Sequence, residues 1–364
     1  MKIAQIAPLA ERVPPKLYGG TERIVSYLTE ELVRQGHDVT LFASGDSLTS
    51  AKLVSCSDVA LRLHPSMKDP LPYQVVMLEE IRRRALDFDV LHFHIDFLHF
   101  PVIREFADRT VTTLHGRLDL PDLKPLYRMF SDIPLVSISN DQRLPMPAVD
   151  WAGTVYHGLQ IDILPFTERP RGGYLAFLGR ISPEKRPDIA IEIASRVGMP
   201  LKIAAKVDAA DYVYWDSIIK PMVEMHANVE FVGEINEHQK ASFLGNASAL
   251  LFPIDWPEPF GLVMIEAMAC GTPVLAFRRG SVREIIEDGI SGIAVDSVAE
   301  AIENIDWLLR LDRRQVRAAF ERSFTAERMA RDYLAIYRRL PGVRLKAPRL
   351  RRPVKGTPEL QVIA

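Results

Sequence analysis

Residues 257–274 read Pro257-Glu258-Pro259-Phe260-Gly261-Leu262-Val263-Met264-Ile265-Glu266-Ala267-Met268-Ala269-Cys270-Gly271-Thr272-Pro273-Val274. Prolines mark a loop, a run of good helix formers follows, and Gly-Thr-Pro breaks it before the β-rich stretch Val274 to Phe277. Loop, helix, loop and apolar strand in that order form half of a βαβ unit, the building block of a parallel sheet. Gly261 is permissive where the chain turns into the helix, and the free N–H groups of such a turn can receive phosphate or sugar oxygens.

The same alternation extends in both directions. Strands are predicted at Tyr174 to Leu178, Leu201 to Ala205, Val229 to Val232, Ala249 to Phe252, Val274 to Phe277 and Gly292 to Val295. An earlier series comprises Ile3 to Ala7, Val39 to Ala43, Val90 to His94, Thr110 to Leu114 and Leu135 to Ser139. Between the first two of these, a helix puts Ile24, Val25, Leu28 and Leu32 on one face and turns Glu22, Glu30, Glu31 and Arg34 away. Thr21 can cap that helix and Gly36 can end it.

The turn-rich stretch Pro165 to Gly173 separates the two series. The expected organisation is a first domain over 1–160, a linker over 161–173, a second domain over 174–322, a helix over 323–340 packing back on the first domain, and a basic tail over 341–364. The fold class is α/β, two facing Rossmann-like, doubly wound domains. Ligands bind beyond the carboxyl ends of such strands, so the functional site belongs in the cleft between them.

Bulk properties fit an enzyme of this kind. The 364 residues are 48% hydrophobic, 25% charged and 8% aromatic, as in soluble globular chains. A formal charge of -2 excludes a globally basic nucleic-acid binder. Cys56 and Cys270 are far apart and in no metal-binding spacing, so both read as buried free thiols in a reducing compartment. With no apolar run near the roughly 18 residues of a membrane span, the expected location is the cytoplasm. From Arg338 to Lys355 the chain carries eight Arg or Lys and no acid. That reads as a solvated tail, or as a weak anchor on anionic lipid headgroups.

Glu258 precedes the helix and Glu266 lies about two turns within it, some 12 Å apart on a helical rise. That separation is too long for one carboxylate pair on one bond and suits two ends of a longer ligand. Glu266, among Val263, Met264, Ile265, Ala267 and Met268, also needs a partner simply to be buried. Arg180 and Lys185, in Leu178-Gly179-Arg180-Ile181-Ser182-Pro183-Glu184-Lys185-Arg186, supply a forked and a compact cation for a phosphate. The glycines of Leu17-Tyr18-Gly19-Gly20-Thr21-Glu22-Arg23 let backbone approach an anion, and they depart from the G-x-G-x-x-G of dinucleotide-binding folds. His115 ends a strand where it faces the cleft. His92, His94 and Asp96 alternate along one strand, which invites a metal reading that is set aside; His94 is instead a candidate for the acceptor side.

The Glu258 to Glu266 segment resembles the E-x7-E signature of family 4 retaining glycosyltransferases, which have the GT-B fold. The likeness continues through Gly271-Thr272-Pro273-Val274 to Val282-Arg283-Glu284-Ile285-Ile286-Glu287-Asp288-Gly289, and is patchy over Ser47 to Leu86. The Tyr18 to Glu22 loop is most similar to the branch of avilamycin-type transferases. The resemblance implies transfer of a hexose from a UDP- or GDP-linked donor to an acceptor hydroxyl, with no metal and no other cofactor. It implies donor contacts from Gly19, Gly20, Arg180, Lys185, Glu258, Phe260, Gly261, Leu262 and Glu266. His115 is expected against the transferred sugar, and catalysis to fall to His115, Glu258, Arg180 and Lys185.

Three other readings are weaker. A nucleotide-sugar epimerase needs further acids and bases around the sugar, and a glycogen-phosphorylase-like enzyme needs a cofactor lysine. A catalytically silent nucleotide-sugar-binding module is opposed by the presence of His115 and Glu258.

Overall fold

The computed structural model describes residues 1–17, 19–64, 66–146 and 149–343. Most of the basic stretch 338–355, and with it the lipid-anchor reading, lies outside the described residues.

The first domain is a seven-stranded parallel sheet of β1 (Lys2–Ile6), β2 (Asp38–Ser44), β3 (Lys52–Ser57), β4 (Val90–Phe93), β5 (Thr110–Thr113), β6 (Leu135–Ser137) and β7 (Trp151–Thr154). Its order is β3-β2-β1-β4-β5-β6-β7. The second sheet holds β8 (Leu175–Arg180), β9 (Leu201–Lys206), β10 (Val229–Gly233), β11 (Ala249–Phe252), β12 (Val274–Phe277) and β13 (Gly292–Val295), in the order β10-β9-β8-β11-β12-β13. Strand order reverses beside β1 in one sheet and beside β8 in the other, so each domain has its switch point at its first strand.

The edge strands β3 and β7 are absent from the sequence expectation. In β3 only Ser57 is buried and in β7 no residue is, so neither has the continuous apolar run that marks a strand covered on both faces.

Five helices frame the cleft: α1 (Gly20–Arg34), α2 (Glu237–Asn246), α3 (Leu262–Ala269), α4 (Arg313–Ser323) and α5 (Ala326–Tyr337). Helix α1 starts two residues earlier than a Thr21 cap requires. Gly19 is its cap residue and no side chain caps it. Glu22 and Glu31 do not face away, since both are buried, whereas Arg34 is exposed as expected. Gly36 does end the helix, at φ 81°. Cys270 is buried but Cys56 is only half-buried.

Helix α5 lies against α1 of the first domain, with Tyr333 and Tyr337 fully buried. One apolar cluster runs from Ile3 and Leu28 through Met329 and Tyr333 to Met268 and Val274, joining both domains. Arginines strap the crossings between them. Arg317 donates to the carbonyls of Ile161, Leu164 and Ala269, and Arg328 to those of Tyr156 and His157. Among the described residues no helix is long and apolar enough to cross a membrane.

Candidate active site

Two helix starts meet across the cleft. A Cβ added to Gly20 would stand 3.4 Å from Leu262 Cδ1, so the first turns of α1 and α3 nearly touch. Gly19 and Gly261 cap these helices at φ 150° and 81°, and neither cap residue supplies a side-chain hydrogen bond. The unfilled N–H groups and the positive dipole ends of both helices therefore converge on one space. Side chains could not take these positions: a Cβ would meet Pro15 Cβ at 2.8 Å from Gly19 and Met264 Cε at 2.8 Å from Gly261.

The space is a cleft of about 550 Å³. Six cations line it: Arg23, Arg62, Arg180, Lys185, Lys206 and Lys240. Arg180 is the last residue of β8 and Lys206 the last of β9, as expected for groups beyond the carboxyl ends of strands beside a switch point. Arg180 is loosely held, 3.8 to 3.9 Å from Glu184, Asp208 and Asp211, and its buried Nε has no partner. A guanidinium held so loosely can turn to a new anion at little cost.

Glu258 is buried in the loop before α3. Gly280, at φ 55°, presses against that loop so closely that a Cβ there would stand 2.4 Å from Glu258 N, and Ser281 N donates to Glu258 O at 3.0 Å. The carboxylate pairs with Lys185 and accepts a 2.9 Å bond from Trp256 Nε1. Lys185 Nζ also sits 4.9 Å from the Trp256 ring centre. Glu266 is buried and its Oε1 lies 2.6 Å from Lys240 Nζ on α2. Its Oε2 makes no bond within the described residues. Lys240 in turn reaches Glu237, which pairs with Arg23 of the first domain.

On the other wall His92, His94 and His157 are buried and His115 is half-buried. His94 Nε2 meets Gln5 Oε1 at 2.8 Å, and His94 Nδ1 meets His115 Nε2 at 2.9 Å. Gln5 Nε2 donates to Tyr337 Oη at 3.2 Å, and that hydroxyl reaches His92 Nδ1 at 2.7 Å. With Gln5 so placed, the directions follow in sequence. His94 donates from Nε2 and accepts at Nδ1, so His115 donates from Nε2 and keeps a lone pair on Nδ1. That Nδ1 is buried without a partner. Burial holds the His115 ring neutral, its pKa pushed down to about 3. The imidazole ring of His157 stacks on it at 5.2 Å between centres.

The family model for Glycosyl transferases group 1 matches residues 165–322, and that for Glycosyltransferase Family 4 matches residues 18–137. The chain belongs to the family 4, group 1 glycosyltransferases. An uncharacterized glycosyltransferase of Methanocaldococcus jannaschii is 25% identical over 358 residues, covering 84% of this chain and 90% of that one. D-inositol 3-phosphate glycosyltransferase of Mycobacterium tuberculosis is 34% identical over 191 residues, 49% of this chain and 39% of the other. The fold is that of a glycosyltransferase involved in avilamycin A biosynthesis, with TM-score 0.69 and 24% identity over 93% of this chain and 98% of that one. Sucrose-phosphate synthase of Thermosynechococcus elongatus superposes with TM-score 0.74 at 19% identity, over the same shares.

In this glycosyltransferase the structure brings Gly19, Gly20, His115, Arg180, Lys185, Glu258, Phe260, Gly261, Leu262 and Glu266 to one cleft. Two details differ from the sequence expectation. Glu258 precedes the helix as expected, but the helix begins only at Leu262, so Glu266 stands little more than one turn inside it instead of two, and a single helical rise does not span the two acids. Phe260 is 2% exposed, its ring edge-on to His157 at 4.8 Å, so it braces that histidine as much as it borders the cleft. His94 is buried behind His115 and reaches only a second, smaller cavity.

His92 and His94 use both ring nitrogens in hydrogen bonds to Tyr337, Thr113, Gln5 and His115, and do not converge with Asp96 on a common point. Among the described residues no group of three His, Cys, Asp or Glu could hold a metal ion.

Lys240, Arg23, Trp256 and His157 were not foreseen. The signal for His157 was present, because Tyr156-His157-Gly158 repeats the His-Gly of Leu114-His115-Gly116. Lys240 follows a capping box in which Asn236 and Gln239 bond reciprocally, a start signal visible as N-x-x-Q.

Proposed function

We propose that this enzyme moves a hexose from a UDP- or GDP-linked donor to an acceptor hydroxyl, with retention at the anomeric carbon and without a metal ion. The observation that carries the reading is the convergence of two uncapped helix starts with Arg180 and Lys185 in one cleft, an arrangement suited to a diphosphate that lacks a metal counter-ion. A fold neighbour from Anabaena, 16% identical with TM-score 0.69, has been crystallised with UDP and glucose.

In this reading Arg180 and Lys185 take the diphosphate. The Lys185–Glu258 pair opens as the donor enters, which frees Glu258 for the sugar hydroxyls. The unbonded Oε2 of Glu266 accepts from the ribose. Backbone N–H groups around Gly19, Gly20, Gly261 and Leu262 meet the remaining phosphate oxygens. The neutral His115 orients the sugar by accepting a hydroxyl proton at Nδ1, and it has no proton to give as an acid near pH 7.

In this reading the freed Glu258 carboxylate is occupied by the sugar hydroxyls and does not serve as a covalent nucleophile. Same-face attack follows. The bond from the anomeric carbon to the β-phosphate oxygen breaks, the acceptor oxygen bonds to that carbon from the same side, and the acceptor proton passes to the departing phosphate.

A panel of UDP-, GDP- and ADP-sugars in EDTA tests this, read by nucleotide diphosphate release and by melting temperature. One donor is expected to raise the melting point and to be consumed with EDTA present, with both effects lost in Arg180→Ala. Activity that disappears with EDTA would overturn the metal-free assignment.

A further inference from the structure

Behind His115, adjoining the cation-lined cleft, lies a second cavity of about 340 Å³. Its polar lining is Thr21, Gln74, His94, Asp96 and His115; the rest is apolar or backbone, including Leu9, Met77 and Leu98. The contrast with the neighbouring cleft is one of charge: six cations line that cleft, and no Arg or Lys lines this cavity. The single ionisable acid is Asp96.

Asp96 is held at φ 56°, in the left-handed region that a residue with a side chain seldom adopts. Such strain persists where surrounding structure imposes it, and it concentrates at functional positions. Among the described residues no cation or hydrogen-bond donor meets the Asp96 carboxylate, and the side chains of Gln74 and Thr21 also make no hydrogen bond. Three polar side chains without a protein partner, the exposed Asp96 and the half-buried Gln74 and Thr21, thus line one space beside the His115 ring.

We infer that this cavity is the acceptor subsite and that it takes an uncharged polyhydroxyl ring, or the amino derivative of one, and turns away phosphorylated and carboxylated acceptors. An unpaired carboxylate accepts from O–H or N–H groups, and the Gln74 amide and Thr21 hydroxyl complete a set suited to sugar hydroxyls. A phosphate placed there would lose its hydration, meet Asp96 as a like charge and find no cation in return. The inference rests on the adjoining cleft being the donor seat.

The test uses the full chain and saturation-transfer NMR, with UDP or GDP present. Probes are glucose, glucosamine, myo-inositol, glucose 6-phosphate and a myo-inositol monophosphate. The expected result is saturation of neutral and amino members with none for the phosphates. Asp96→Asn, which keeps the left-handed backbone because Asn tolerates it, is expected to weaken glucosamine most, by threefold or more. Gln74→Lys is expected to admit the phosphates.

Phosphorylated probes binding the native chain as well as their neutral partners would overturn the inference. So would an Asp96→Asn variant with unchanged binding, or no sugar binding while a nucleotide still raises the melting point. Failure of every nucleotide to raise it removes the donor reading instead, and the sugar preference is still read on its own.

Discussion

Glu284, beside the second sheet, accepts a 2.8 Å hydrogen bond from the Tyr156 hydroxyl of the first domain. The same carboxylate accepts from the backbone N–H groups of Asn140 and Asp141, each at 2.7 Å, and from Asn140 Nδ2 at 2.9 Å. One acid thus clasps two loops across the cleft, and charge-assisted bonds of this kind are among the stronger ones.

Opening that clasp is expected to separate the domains without unfolding either. In Glu284→Ala the radius of gyration by small-angle scattering should rise, and a larger share of donor should go to water instead of the acceptor, because closure excludes water. The melting temperature should fall by only a few degrees. An unchanged scattering curve together with an unchanged ratio of hydrolysis to transfer would reject the clasp.

Lys240 and Glu266 separate fold from function. Removing one partner of a buried pair costs about 3–5 kcal/mol, while replacing both by apolar residues is often neutral. Glu266→Gln and Lys240→Met should each lower the melting point, and Lys240→Met/Glu266→Leu should recover most of it. If Glu266 also holds the ribose, the double variant will still show no nucleotide-induced shift. A double variant that binds nucleotide as the native chain does would leave Glu266 with a purely structural role.

The chain from Tyr337 through Gln5 and His94 to His115 has one direction. Turning the Gln5 amide over would reverse every bond in it at once. Tyr337→Phe removes the hydroxyl that receives Gln5 Nε2 and frees the amide to turn, so His115 becomes a mixture of tautomers. Ring-15N NMR should show His115 protonated at Nε2 in the native chain and mixed in the variant. Loss of one oriented bond of about 1.4 kcal/mol predicts a roughly tenfold fall in kcat at nearly constant donor KM. A native His115 protonated at Nδ1 would contradict the relay.

The buried strands and the residues at their ends were legible in the sequence, because both signals are local. β11, β12 and β13 coincide with their apolar runs, Arg180 ends β8, and His115 stands two residues past β5. What stayed hidden depends on partners distant in sequence. Glu22 and Glu31 look like a solvent face of α1 in any periodic pattern, yet both are buried, Glu22 among the residues lining the cleft. Lys240 lies 26 residues from Glu266, and Tyr337 lies 332 residues from Gln5. No periodicity in either segment announces the other. The edge strand β3 was missed for the opposite reason, being too exposed to carry a strong pattern.

Acid should unfold this protein from the histidine side. Burial lowers the pKa values of His92, His94, His99, His115 and His157, those of His99 and His115 to about 3. The unfolded chain takes up these protons near pH 6.5 and the folded chain only far below, so the folded state binds fewer protons throughout the interval. Stability is therefore full above about pH 6.5 and falls as the pH drops, by up to about 1.4 kcal/mol per histidine per pH unit. Glu11, Glu22, Asp96 and Asp141, raised by desolvation, titrate in the opposing direction but are fewer than the five rings. Five rings together can remove a typical stability of roughly 5–15 kcal/mol within two or three pH units. The melting temperature should thus decline steeply between pH 6.5 and 5. His99 stacks on Phe93 at 3.9 Å, away from the cleft, so His99→Phe should make the acid limb shallower by about one proton and leave transfer activity near native. A melting temperature that stays level down to pH 5 would show that these rings are not held neutral.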